Sequence, residues 1–269
     1  MIVVGIILLA LAAAYLLLLM PRRNHPGWEK LAGFRYAHRG LHNAAEGVAE
    51  NSMTAFRLAI ERGLGVELDV HLLADGNLAV FHDKTLTRVC GADVEIEDLT
   101  AEQLKDYSLQ GTGEHIPLFE EVLDLFEGKT PLIIELKMER GNTAALSDAV
   151  MQRLKNWKGT YCVESFHPAV VRYFKQHYPQ VIRGQLSQNF LKSGKLSRPA
   201  AFLMTFLLTT ATTKPDFIAY RWDHRGGVSL RLMRKLYGVH EVAWTVKDAE
   251  VMKRLEADGC AVIFEGFVP

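Results

Sequence analysis

The chain has 269 residues with 31 Lys and Arg against 31 Asp and Glu, 49% hydrophobic and 23% charged, a globular composition that excludes a disordered tail or a collagen-like fibre. A net charge of zero and a pI near 7.2 supply no long-range field for nucleic acid, and no basic stripe compensates. Three widely separated cysteines, Cys90, Cys162 and Cys260, give neither a disulfide framework nor a zinc spacing and fit a reducing compartment.

Residues 1–20 carry no charged side chain, and as a helix they would span about 30 Å, the thickness of a bilayer's hydrocarbon core. The stretch has no basic n-region and ends in Met20-Pro21-Arg22-Arg23, so a single-pass membrane anchor is expected rather than a cleaved signal peptide. Arg22 and Arg23 follow the segment and nothing basic precedes it, which puts the rest of the chain on the cytoplasmic side of the cell membrane. A linker over 21–32 leads to one domain over 33–269, near the usual size of an α/β barrel. Apolar strand-like runs lie at 34–38, 64–70, 78–82, 132–137, 160–165, 181–186, 216–221, 241–246 and 260–264, and helical patterns at 52–62, 118–126, 143–157, 168–177, 198–210, 229–236 and 249–258. Strand alternating with helix predicts a parallel sheet. The runs 64–70 and 78–82 are joined only by a turn around Ala74-Asp75-Gly76-Asn77, too short for a parallel crossover, so they form an antiparallel hairpin. Eight parallel strands remain. The expected fold is therefore a (β/α)8 TIM barrel with a small hairpin insertion after the second strand, preceded by one transmembrane helix. An open doubly wound sheet is the competing architecture, but no Gly-rich phosphate fingerprint follows the first strand.

Polar residues gather at the C-terminal ends of these strands: His38, Glu67 with Asp69, Glu135 with Lys137, Ser165, Gln185, Arg221, Trp244 and Glu265. That end is the catalytic face of such a barrel. Residues two apart on a strand point the same way, so Glu67 and Asp69 converge, as do Glu135 and Lys137. Buried, mutually repelling carboxylates need a cation. Oxygen-only ligands favour one hard divalent ion, Mg²⁺ or Ca²⁺, over zinc. His38 in Tyr36-Ala37-His38-Arg39-Gly40 and His82 in Phe81-His82-Asp83 are suited to serve as base and acid at a phosphate, and Arg39 and Lys137 to neutralise its oxygens. A buried His or a Glu–Lys pair taken singly is more often structural; together at successive strand ends they point to chemistry.

The combination resembles the glycerophosphodiester phosphodiesterases. The likeness runs from Gly33 to Pro269 and is densest in His38-Arg39-Gly40, Glu50-Asn51-Ser52 with Ala55-Phe56, Glu67-Leu68-Asp69-Val70, Asp75-Gly76, and His82-Asp83 with Leu86 and Arg88; Ile134-Glu135-Leu136-Lys137, Ser165-Phe166 and Trp244-Thr245-Val246 continue it. The resemblance implies a barrel, a divalent metal held by Glu67, Asp69 and Glu135 with Glu50 nearby, and His38 and His82 as the acid–base pair. Arg39, Lys137 and Trp244 are then expected to bind the substrate and its phosphate. It further implies cleavage of glycerol-phosphate-alcohol diesters to glycerol 3-phosphate and an alcohol. Two loop positions depart from the family pattern, Ala49 in place of Pro and Ala74 in place of a polar residue, and the last strand ends in Phe264-Glu265-Gly266 where the family has Thr-Asp. Glu265 either replaces that Asp or faces solvent.

The stretch 199–208 is apolar nearly all round and too short to span a bilayer. It either lies on the membrane, which would favour a lysophospholipid substrate, or packs on the barrel or a second copy. Trp222, Asp223 and His224 either shape the alcohol pocket or pack at the surface. Competing functions are a barrel phospholipase of the C or D type and a non-catalytic, tethered lipid-head-group binder; a complete His and carboxylate set argues for turnover. Expected partners are the diester or lysolipid substrate and membrane lipid, with no nucleic acid and no feature calling for an obligate protein partner.

Overall fold

Nine strands form at the nine apolar runs. The computed structural model of the protein describes residues 2–22, 27–194 and 196–269; Met1 of the predicted anchor and 23–26 of the predicted linker, Arg23 included, lie outside the described residues. In chain order the elements are α1 (Ile2–Leu19), α2 (Glu29–Ala32), β1 (Arg35–His38), α3 (Met53–Glu61), β2 (Gly65–Leu72), β3 (Leu78–Val80), α4 (Thr87–Cys90), α5 (Phe119–Phe126), β4 (Leu132–Leu136), α6 (Thr143–Leu154), β5 (Tyr161–Ser165), α7 (Pro168–His177), β6 (Arg183–Ser187), α8 (Phe190–Ser193), α9 (Arg198–Thr205), α10 (Thr210–Thr213), β7 (Phe217–Arg221), α11 (Val228–Tyr237), β8 (His240–Val246), α12 (Ala249–Ala257) and β9 (Ala261–Phe264).

The strand order is β1-β9-β8-β7-β6-β5-β4-β2-β3, and β1 also pairs with β2. That pairing closes eight parallel strands into a barrel and leaves β3 outside it, antiparallel to β2 from Val70↔Val80 to Leu72↔Leu78. Asp75 accepts from the Asn77 N–H at 3.1 Å and Gly76 takes φ +82°, the left-handed conformation that glycine reaches without a Cβ penalty. The hairpin opens a larger segment than its strand suggests. Leu73, Phe81, Leu86, Ile96, Leu104, Leu109 and Ile116 form a separate buried cluster beneath it, so the insertion carries its own core.

Tyr36, Ile133, Cys162, Phe217 and Val242 fill the barrel below the site, with Leu186 and Ile263 of the same cluster above them, and full burial of each large apolar side chain stabilises by about 1.5–3 kcal/mol. The floor is closed by a segment assigned to the linker from sequence. Leu31 is buried, Trp28 stacks on His240 with ring centroids 4.5 Å apart, and the Tyr36 hydroxyl donates to the Leu31 carbonyl at 2.7 Å. The predicted helix 198–210 is interrupted: Leu207 takes φ +55° and splits it into α9 and α10. Its surface is two-sided, with Ala201, Met204 and Leu207 buried while Phe202 and Leu203 are exposed. α1 is long and apolar enough to cross a membrane, and its last turn is anchored on the barrel wall by Leu19, fully buried among Leu207, Ile218, Tyr220 and Leu230.

Candidate active site

Strand register brings the charged residues to one level. His38 lies beside Glu67, Asp69 beside Glu135 and Glu135 beside Glu164; neighbours in a parallel ladder point to the same side, so these chains share the mouth of the barrel. Glu67, Asp69 and Glu135 each offer an oxygen within 4.8 Å of the others. The loop after β1 supplies the rest. Gly40 sits at φ +82° with no room for a side chain, since a Cβ there would lie 2.8 Å from that of Ala55. Next in the motif, Ser52 caps α3 by accepting from the Ala55 N–H at 3.1 Å, and Asn51 donates to Asp69 at 3.0 Å.

Each histidine is tied at one nitrogen and open at the other. His38 Nδ1 lies 2.6 Å from Glu265 Oε2, and its Nε2 lies 3.9 Å from Glu67. His82 Nδ1 lies 2.6 Å from Asp83 Oδ1. A carboxylate only accepts, so Nδ1 carries the proton in both rings and Nε2 is left with its lone pair. Burial pushes the His82 imidazole down to about 4, opposed in part by Asp69, and burial likewise lowers His38 against its bond to Glu265. The bonds from His38 and Lys247 hold Glu265 below the usual carboxylate range. Both rings, Glu67, Glu135 and Glu164 border a small cavity of about 100 Å³, whose opposite wall is Phe166, Leu186, Trp244 and Ile263. Trp244 meets Phe166 edge-on at 5.5 Å, and its indole N–H has no partner among the described residues.

The cations are placed among the acids. Lys137 Nζ lies 2.9 Å from both Asp69 and Glu135; Arg39 donates to Glu50 at 2.8 Å and lies 3.4 Å from Asp69; Arg88 clamps Glu50 through both terminal nitrogens at 2.7 and 2.8 Å. Glu50 is thus engaged by two arginines and stands outside the three-carboxylate group. Burial pushes Glu135 up to about 7 against the pull of Lys137. Burial together with Asp69 and Glu135 holds Glu67 well above the ordinary carboxyl value. Against its own burial, Asp69 is kept low by Lys137, His82 and Arg39. These acids outnumber the fixed cations that reach them. All-oxygen donors short of positive charge fit a hard divalent cation.

Of the other strand-end residues, Ser165 and Gln185 serve the backbone: Ser165 Oγ donates to the Leu136 carbonyl at 2.8 Å and Gln185 donates to the Ser165 carbonyl at 3.1 Å. Arg221 is exposed and paired with Asp223 at 2.7 Å, and His224 accepts from the Asn189 N–H at 3.3 Å. The roles of two carboxylates, Asp83 and Glu164, were missed from sequence, and that of Glu265 was left open. Asp83 and Glu265 each hold a histidine, and Glu164 is a buried carboxyl in the cavity wall, raised well above its ordinary value by burial and by Glu135. Asp83 adjoins His82 in sequence, a visible signal; Glu164 follows the apolar strand Cys162–Val163 as Glu67 follows Val66, a pattern that also was there to find.

Residues 38–268 match the sequence profile of the Glycerophosphoryl diester phosphodiesterase family. The chain belongs to this family. It is 32% identical over 162 residues to a glycerophosphodiester phosphodiesterase of Caldanaerobacter subterraneus subsp. tengcongensis, an alignment covering 56% of this chain and 65% of that protein. It is likewise 32% identical over 162 residues to the lysophospholipase D GDPD1 of Rattus norvegicus, covering 55% of this chain and 49% of that protein; the matches thus span half to about two thirds of these relatives' lengths. Among solved structures, a glycerophosphodiester phosphodiesterase from Parabacteroides distasonis superposes with a TM-score of 0.68 at 26% identity, covering 86% of this chain and 92% of that one. The closed barrel is the fold of this family.

Raised carboxyls have a measurable consequence. Glu135 binds its proton up to about 7 in the fold against an ordinary value of 4.5, so its contribution favours the folded state at low pH and is lost as pH rises from about 4.5 through 7. The lowered His38 and His82 act in the opposite sense over the same range, so the carboxyl contribution is read against Glu135→Gln: in EDTA the variant is expected to gain on the wild type in Tm more at pH 8 than at pH 5, and saturating Mg²⁺ or Ca²⁺ is expected to raise the wild-type Tm more at pH 8. Differential scanning calorimetry checks this; equal shifts at the two pH values would place the ion elsewhere.

Proposed function

We propose that the chain is a metal-dependent phosphodiesterase that cleaves glycerophosphodiesters to glycerol 3-phosphate and an alcohol at a membrane surface. The observation carrying it is the pair of Nε2 atoms, each made a base by a carboxylate on its Nδ1, opening on one cavity beside Glu67, Asp69 and Glu135. Those three acids would hold the ion, with Glu50 behind them; when bound, the ion draws charge from the phosphoryl oxygens. Arg39 and Lys137 bind the same oxygens from the protein side. One Nε2 takes the proton of the attacking hydroxyl, from water or from the neighbouring glycerol hydroxyl. The other ring takes up a proton at Nε2 from solvent before the step and gives it to the leaving oxygen, and the proton gained by the first ring returns to solvent to reset the cycle. Phe166 and Trp244 form the apolar wall for the glycerol carbons, with the Trp244 N–H as a donor to a substrate oxygen.

α1 serves as a single-pass anchor, with the barrel on the cytoplasmic side as Arg22 and Arg23 direct. A lysophospholipid substrate is favoured by the exposed Phe202 and Leu203 and by likeness to a relative named lysophospholipase D. The test is product analysis with the full-length protein, offered glycerophosphocholine and lysophosphatidylcholine separately. Glycerol 3-phosphate from the first, or lysophosphatidate from the second, is expected; phosphocholine as the product would mean that the other ester bond is cut, as by a C-type phospholipase.

Glu265 is a positioning residue in this scheme. Glu265→Gln is expected to lower kcat about tenfold or more with little change in KM and to displace the pH–rate profile, because the ring of His38 loses its ionised partner. An unchanged profile would show that Glu265 only shapes the C-terminus.

A further inference from the structure

The docking of α1 determines which end of the barrel meets the bilayer. The helix's C-terminal end lies at the floor: the Met20 carbonyl accepts from Lys214 Nζ at 2.8 Å, the Arg22 N–H donates to the Pro215 carbonyl at 3.0 Å, and the Arg22 guanidinium lies 3.5 Å from Asp216, all on the segment entering β7. One turn on, Tyr237 at the floor end of α11 donates to the Leu16 carbonyl at 2.7 Å, and the next side chain, Tyr15, reaches upward to share a 2.7 Å bond with the Ser229 hydroxyl at the first turn of α11, just past the top of β7. α1 therefore climbs the wall from floor to mouth. From Tyr15 to Ile2 it continues about 20 Å beyond, at 1.5 Å per residue.

A hydrocarbon core is about 30 Å thick. A helix with only about 20 Å free of the barrel falls about 10 Å short of that thickness, a mismatch that draws the barrel mouth into the interface and thins the bilayer around it. The rim on that side is built for such contact. α8 and α9 stand above β6, fixed by Ser187 Oγ donating to the Met204 carbonyl at 2.8 Å and the Phe190 N–H donating to Thr205 Oγ1 at 3.0 Å. Their inner residues Phe190, Ala201 and Met204 pack on Phe166 of the cavity wall. Their outer residues Leu191, Phe202 and Leu203, with Val228 at the start of α11, remain 45–51% exposed. Lys192 and Arg198 are exposed beside them, where cations meet anionic head groups.

We infer that the barrel mouth faces and touches the bilayer that holds α1, with Leu191, Phe202, Leu203 and Val228 in the interface, so that the site draws single-chain glycerophospholipids laterally from the membrane. The orientation stands on the anchor's contacts; the lateral supply of substrate rests on the phosphodiesterase activity proposed above.

The full chain is reconstituted in phosphatidylcholine–phosphatidylglycerol nanodiscs, and a fluorophore is attached at Phe202→Cys or at Leu236→Cys, an exposed site near the opposite end of α11, with labelled wild-type protein as background for Cys90. Brominated lipid is expected to quench the probe at 202 several-fold more than the probe at 236. Equal quenching, or stronger quenching at 236, overturns the orientation. Separately, Phe202→Glu combined with Leu203→Glu is expected to reduce turnover of lysophosphatidylcholine in vesicles about tenfold with turnover of soluble glycerophosphocholine unchanged. A parallel loss of both, or no loss, overturns lateral supply. Should the wild type cleave neither substrate, the phosphodiesterase activity fails while the quenching result still decides the orientation.

Discussion

His82→Ala is expected to lower kcat on glycerophosphocholine by about 10²–10⁴, the usual worth of one acid–base group, with a melting temperature close to wild type. The ring is only part-buried, and its one strong bond is to the adjacent Asp83 at 2.6 Å, itself held by Arg88 at 2.6 Å. Its loss therefore leaves Asp83 paired and removes little packing. His38→Ala is expected to cost as much in kcat. It also leaves Glu265 to Lys247 alone, a 2.7 Å contact, so a small fall in stability accompanies it. The double variant is expected to fall well short of the product of the two losses, because the two rings act on one proton-transfer sequence. Steady-state kinetics with thermal melts on each variant check this, and near-wild-type kcat in either single variant would remove that histidine from the chemistry.

The second large effect concerns the carboxylates. Asp69→Asn is expected to abolish measurable turnover, a loss on the order of 10³ or more, since stabilisation of phosphoryl charge by a bound ion is worth several kcal/mol and each 1.36 kcal/mol is tenfold. Asp69 is the acid that stays ionised most firmly, because Lys137, His82 and Arg39 converge on it against its burial. Its amide isostere keeps the bond from Asn51 in shape but withdraws the charge that a cation needs. Isothermal titration with Mg²⁺ and Ca²⁺ is expected to show binding to the wild type and at least tenfold weaker binding to the variant. Unaltered affinity with lost turnover would assign Asp69 to Lys137 and the substrate rather than to the ion.

Most of the architecture was legible because its signals are local. Each of the nine apolar runs became a strand within a few residues, and the four-residue turn at 74–77 sufficed to place β3 outside the barrel. The convergence of Glu67, Asp69 and Glu135 followed from period two on neighbouring strands. What sequence could not supply were contacts between distant segments. Glu265 meets His38 across 227 positions, and only closure of the barrel through the β1–β9 pairing brings them together; the open choice between a role and solvent is resolved as half-buried contact with the ring. Glu50 reaches the site, but Arg39 and Arg88 hold it, which no spacing could reveal. The apolar stretch 199–208 read as uniform because hydrophobicity alone does not tell a face that packs on Phe166 from one left exposed. Trp28 and Leu31 read as linker because four residues of helix carry no periodicity; their role as the barrel's floor exists only once the strands are closed.

α1 and the candidate site occupy different sectors of the barrel. α1 is held by the β7–α11 sector, whereas the acids and histidines come from β1, β2, β4 and the hairpin after β2. The wall that seats α1 thus carries none of the clustered acids or histidines.

The most direct test of the whole account is glycerol 3-phosphate released from glycerophosphocholine by the full-length protein in detergent, first after exhaustive EDTA treatment and then with Mg²⁺ or Ca²⁺ restored. Release that is lost in EDTA and returns with either ion, and that is absent from the His38→Ala His82→Ala double variant under the same conditions, is the predicted result. Release that persists without the ion, or in the double variant, would contradict a metal-assisted mechanism built on these two histidines.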